Sequence, residues 1–137
     1  MTVLSAAQSY QQAKAGKRVI GWKLDRYERE QLLVQFPPHY GNVVADHVTL
    51  RAHVDANSAL PPPSTGVIVG RSDDGRGVEA MVVQIDGSTR RPDGGTYHIT
   101  WSLGGGRRAV ESNDVIKARR WDAIDPPVPV LLEPALF

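Results

Sequence analysis

The chain contains no cysteine, so disulfides, thiolate nucleophiles and cysteine-based zinc sites are excluded from its chemistry. It has no apolar run near the roughly 18 residues that a membrane-spanning helix needs, and no apolar stretch before a cleavage site that would read as a secretory leader. A cytoplasmic protein with no membrane partner is the expectation. One-sided charge is lacking too: 16 Lys and Arg against 15 Asp and Glu leave +1 at pH 7. That balance excludes a globally basic nucleic-acid coat. Positive charge is instead local, in the pairs Lys17-Arg18, Arg90-Arg91, Arg107-Arg108 and Arg119-Arg120. The run Gly104-Gly105-Gly106 lacks a Gly-Lys-Ser/Thr ending and is therefore no P-loop.

What is present suits one globular domain over 1–137, with 41% hydrophobic and 23% charged residues. Ser5 and Gly16 bracket a short peripheral helix over 5–14, part of an N-terminal segment 1–17. Residues 18–24 read as a strand with Ile20, Trp22 and Leu24 on one face and Gly21 and Lys23 on the other. Asp25 and Glu28 form a capping box for a helix reaching about residue 35, with Leu32, Leu33 and Phe36 as its apolar stripe. Pro37-Pro38 stops that helix, and His39 and Tyr40 follow in a loop. Asp73-Asp74-Gly75-Arg76 separates strands over 65–72 and 77–85, a hairpin signal. Ser112 is expected to cap a short helix over 113–119. The prolines of the tail 121–137 restrict 128–132 to an edge strand or an extended cover over the domain. The total is an α+β domain around a curved antiparallel sheet with few helices outside it.

One short pattern occurs twice. Asp46-His47-Val48-Thr49-Leu50 returns as Tyr97-His98-Ile99-Thr100-Trp101, each on a strand-like stretch, over 45–54 and 96–103. Side chains alternate faces along a strand. His47, Thr49 and Arg51 would share one face opposite Val48, Leu50 and Ala52; His98, Thr100 and Ser102 would share another, opposite Tyr97, Ile99, Trp101 and Leu103. His53 lies six residues beyond His47 (53 − 47), about 20 Å along an extended strand, too far to share a metal ion. Two imidazoles and two hydroxyls lining one cleft would supply the proton donors, proton acceptors and neutral hydrogen-bond donors of phosphodiester chemistry, with no metal and no cofactor required.

Paired His-x-Thr motifs with apolar neighbours resemble the two-histidine (2H) phosphoesterase superfamily, over roughly residues 19–117. The stretches Phe36-Pro37-Pro38-His39-Tyr40 and Glu111-Ser112-Asn113-Asp114 are similar to the cyclic phosphodiesterase domain of fungal and plant tRNA ligases. The motif histidines lie 51 residues apart (98 − 47), short for that superfamily, which implies a trimmed lobe. The resemblance implies two pseudo-symmetric lobes around a central cleft, with one motif in each. It also implies hydrolysis of a 2′,3′-cyclic phosphate, on an RNA end or a nucleotide, to a 2′-phosphate. His47, Thr49, His98 and Thr100 are the expected catalytic residues. One histidine would be general base and the other general acid, in an order the sequence leaves open, while the threonines hold non-bridging oxygens. Lys23, His39, Tyr40, Arg51, Ser112 and Asn113 are candidate substrate contacts. The alternatives are a 3′,5′-linked cyclic nucleotide or cyclic oligonucleotide as substrate, a non-catalytic module that holds a phosphate end of RNA, and a partner-binding domain using the proline-rich tail.

Overall fold

Among the residues that the structure describes, alternating apolar positions and sharp turn signals give a seven-stranded antiparallel sheet with two helices. The computed structural model describes residues 18–54 and 57–137; the expected helix over 5–14 lies outside them. In chain order the elements are β1 (Arg18–Leu24), α1 (Arg26–Gln35), β2 (Asn42–Val43), β3 (His47–Val54), β4 (Ser64–Asp73), β5 (Val78–Gln84), β6 (His98–Leu103), α2 (Glu111–Arg119) and β7 (Asp122–Leu136). The strands lie in the order β2-β6-β5-β4-β7-β1-β3, and the sheet is not closed. No helix among the described residues is long and apolar enough to cross a membrane.

Local chemistry explains the ends of the first helix and the hairpin. Asp25 caps α1 by accepting the Glu28 N–H at 2.8 Å. Its own N–H goes to the Leu131 carbonyl at 3.4 Å, and the Glu28 carboxylate accepts from Leu131 N at 2.7 Å. The expected capping box is therefore only half formed, because the tail supplies the other partners. In the β4–β5 turn, Asp74 accepts from Arg76 N at 2.7 Å and Val78 N at 3.1 Å. Gly75 and Gly77 there take φ of 70° and 109°, a region glycine enters without a Cβ clash.

The core lies under one face of the sheet, where Trp22, Leu24, Val48, Met81, Ile99, Trp101 and Val130 meet Leu32 of α1. Trp101 is fully buried and its indole N–H is satisfied by the Phe36 carbonyl at 2.8 Å. On the other face, Ala80 and Val82 of β5 are sealed by Ile116 of α2, so β5 is covered on both sides.

Two expectations about the second half are corrected. Strand β7 is no edge: it joins β4 on one side and β1 on the other. Its partners, however, change along its length. Pro129 faces Val67 of β4, Pro134 faces Trp22 of β1, and the two pairings overlap only at Leu132. Each of these prolines thus sits where one side of the strand is unpaired, and its missing N–H costs no ladder bond. Helix α2 starts at Glu111 after Val110, with no side-chain cap, so Ser112 lies inside the helix rather than capping it.

The sheet curls so that β3, at one end, comes beside β6 near the other, without closing. After β2 the backbone still runs along β6, with Val44 N donating to Trp101 O at 3.0 Å and Ala45 N to Thr100 O at 2.9 Å. The next residue has changed sides: Asp46 O accepts from Leu24 N at 3.0 Å. Ala45, buried with φ of 41°, makes this step. His47 therefore begins β3 beside the strand that carries His98 and Thr100.

Candidate functional site

Each His-x-Thr copy ends on a β-bulge. Along β3, Lys23 faces His47, Gly21 faces Thr49 and Ile20 faces Arg51, which leaves Leu50 unpaired. Along β6, Val82 faces His98, Ala80 faces Thr100 and Glu79 faces Ser102, which leaves Trp101 unpaired. An extra residue resets the alternation of everything after it. The face assignments beyond each Thr are thus reversed from simple alternation. Ala52 joins His47 and Thr49, while Arg51 is exposed and does not line the cavity they share. Ser102 turns away from His98 and Thr100, and its hydroxyl donates to the buried Glu79 carboxylate at 2.6 Å.

His47, Thr49, His98 and Thr100 line one cavity of about 220 Å³. Val19, Ala52, Ala109 and Val110 supply its apolar walls, and Arg91, Asp93 and Asn113 its remaining polar groups. The volume falls below the roughly 300–1,000 Å³ of pockets that enclose whole small ligands.

The two imidazoles differ in environment. His98 is buried, and its Nδ1 lies 2.8 Å from the Thr96 carbonyl, which can only accept. Nδ1 therefore carries the hydrogen, and Nε2 has a free lone pair. Burial pushes its pKa down to about 4, outweighing the opposite pull of the Thr96 bond. His47 is half-buried, with Nδ1 3.1 Å from Asp46 Oδ2 and its ring 4.5 Å from that of Phe137. Asp46 also receives Lys23 Nζ at 2.5 Å and Arg26 Nη1 at 3.1 Å. Burial alone would raise the Asp46 carboxyl, but the hydrogen bonds and charges of His47 and Lys23 hold it well below the usual carboxylate range. It is an anion at neutral pH, and His47 Nδ1 must be its donor.

Thr49 has no hydrogen-bond partner among the described residues, so its hydroxyl is available to a ligand. Thr100 Oγ1 lies 2.9 Å from Ser112 Oγ and 3.3 Å from the Ala109 carbonyl. The Arg91 side chain, only 10% exposed, is held by Asp93 Oδ1 at 2.9 Å and Asn113 Oδ1 at 3.2 Å. This places a fixed guanidinium on the cavity wall, where a phosphate would gain charge-assisted hydrogen bonds.

The other candidate contacts fall in several places. Asn113 lines the cavity. Ser112 is buried behind it as the partner of Thr100. Lys23 is engaged by Asp46 and lies 4.6 Å over the Phe137 ring, so it acts on the cavity only through His47. His39 and Tyr40 do not line the cavity: both bind Asp73, at 2.5 and 2.6 Å. With Arg71, Glu79 and Ser102 they fasten the loop after α1 to β4, β5 and β6. His53 is exposed at φ of 58° and takes no part. Sequence reasoning gave no role to Asp46, although its place directly before His47 was a usable signal. Arg91 stood in a noted basic pair, and nothing local separates it from Arg90. No family model, no curated protein and no solved structure matches the chain.

Proposed function

We propose that this cavity hydrolyses a 2′,3′-cyclic phosphate to a 2′-phosphate, as the resemblance to 2H phosphoesterases implies, with the two motif strands belonging to two pseudo-symmetric lobes. The observation that carries the reading is the convergence of both His-x-Thr pairs and a fixed, largely covered arginine on one cavity of phosphate-and-sugar size. The matching bulges at Leu50 and Trp101 support the two-lobe view, because equivalent residues of each copy make the same backbone excursion.

In this mechanism neutral His98 takes a proton from water through Nε2. The water oxygen bonds to phosphorus, the bond from phosphorus to the 3′ oxygen breaks, and His47 gives that oxygen a proton. The depressed His98 pKa supports the base role, since a ring without a second proton can accept but has no cationic proton to give. The Asp46 carboxylate supports the acid role of His47 by fixing its Nδ1 as the bonded nitrogen, which leaves Nε2 to serve the leaving oxygen. Thr49 and Arg91 hold the non-bridging oxygens as charge grows on them. Thr100 joins them by exchanging its long 3.3 Å contact to Ala109 for a phosphate oxygen.

The test is a panel of 2′,3′- and 3′,5′-cyclic substrates, read by the position of the product phosphate. Turnover of the 2′,3′ esters to 2′-phosphates is expected, unchanged by EDTA. His47→Ala and His98→Ala should each lower kcat by about 10²–10⁴-fold. The double variant should lose little more, because the two act as one unit. Tight binding with no multiple-turnover product would replace this reading with that of a phosphate-holding module, and product from the 3′,5′ esters alone would replace its substrate.

A further inference from the structure

We infer that the substrate is a strand of RNA and that the nucleotides upstream of the reacting end lie along a groove beside α2; this rests on the cyclic-phosphate reading of the cavity. The cavity does not end at its own wall. Arg91, Asp93 and Asn113 also form one side of a neighbouring basin of about 400 Å³, which continues over Gly94 and Gly95 to Lys117 and Arg120. Arg120 in turn lines a third depression of about 270 Å³ with Arg71, Ser72, Arg119 and Trp121. Three depressions therefore run in series, each sharing at least one arginine with the next.

Their chemistry suits a single strand with a charge at every step. Among the described residues, Lys117, Arg119 and Arg120 have no carboxylate within salt-bridge distance. The acids in the groove do not cancel them fully. Asp93 is taken by Arg91 and Asp73 by His39 and Tyr40, while Asp114 and Asp122 remain. Cations near a helix C-terminus also offset its dipole, but that role does not require them to converge on one groove. At the far end the Arg120 guanidinium lies 4.6 Å over the Trp121 ring. The indole fits there because residue 70 is glycine: a Cβ would come within 2.0 Å of the ring. Ser72 Oγ, in the same depression, is buried without a hydrogen-bond partner. Its residue is only 3% exposed, so it is an unused polar group at the place where the strand's next phosphate would arrive. The cyclic phosphate requires a ribose 2′-oxygen, so the strand is RNA.

The experiment compares kcat/KM for uridine 2′,3′-cyclic phosphate with that for a dinucleotide and a tetranucleotide bearing the same end. At least a tenfold gain with length is expected, and it should shrink as salt rises because each phosphate contact releases counterions. Lys117→Gln and Arg120→Gln should remove most of the gain while leaving the mononucleotide rate unchanged; Lys117→Gln alone, on the exposed helix surface, suffices if the other variant misfolds. Equal rates at all lengths, or equal losses on short and long substrates, would overturn the groove. If no length turns over, a labelled tetranucleotide ending in a 2′-phosphate decides it by fluorescence anisotropy. Binding weakened by both variants would then keep the groove and reject the ring-opening reading, and unaltered binding would reject both.

Discussion

Burial holds His98 in its neutral form, and that has a price in stability that can be measured. Its folded-state pKa of about 4 lies below the ordinary 6.5. Between those values the unfolded chain binds a proton that the folded ring refuses, so stability falls as pH drops from 6.5 towards 4 and levels off below. The shift corresponds to roughly 3 kcal/mol. Urea unfolding at pH 7, 5.5 and 4.5 should show this slope, and His98→Gln should flatten it. The lowered Asp46 carboxyl makes its own contribution at more acid pH, lost as that group is protonated in turn. At this scale the repeated His-x-Thr was legible because His and Thr recur at one spacing, with an apolar residue on either side of each Thr. Ser112, His39 and Tyr40 were not. Their partners, Thr100, Asp73 and Glu79, lie 12 to 40 residues away, and no local pattern announces a partner at that separation.

Among the elements, β1 depends on a residue with no side chain. A Cβ on Gly21 would stand 2.1 Å from the Val48 carbonyl, in the pair that precedes the Leu50 bulge. Gly21→Ala should cost about 1–3 kcal/mol or more by overpacking, with loss of turnover as Thr49 moves. Gly41→Ala, where nothing lies within 4 Å, is the matched control. Chemical denaturation of both variants checks the contrast. Helix α1, the β4–β5 hairpin and the strand patterns were readable because caps, turn glycines and alternation act over a few residues. The bulges were not readable, since a strand with one extra residue has the same composition as one without. They alone account for Arg51 and Ser102 leaving the cavity and Ala52 entering it.

For the molecule as a whole, β7 is the seam between the strands that carry the two motifs. On one side of it the sheet runs through β4 and β5 to β6, and on the other through β1 to β3. Leu132, 1% exposed, is the residue at which β7 pairs with β4 and β1 together. Leu132→Ala should therefore cost roughly 2–5 kcal/mol, felt equally on both sides. Tryptophan fluorescence and far-UV circular dichroism should report one shared transition at a lower midpoint; two separate transitions would show that the halves fold independently. The antiparallel α+β class was open to sequence reading, but the place of β7 was not, because prolines argue against a central strand unless its partners exchange along its length. A different kind of leverage sits at Ala45. A single left-handed peptide there carries the chain from the rim of one motif strand to the rim of the other. The two motif strands, joined the long way round through β7, are thus also coupled by one main-chain turn, and a substitution at Ala45 would shift one imidazole relative to the other without touching either ring.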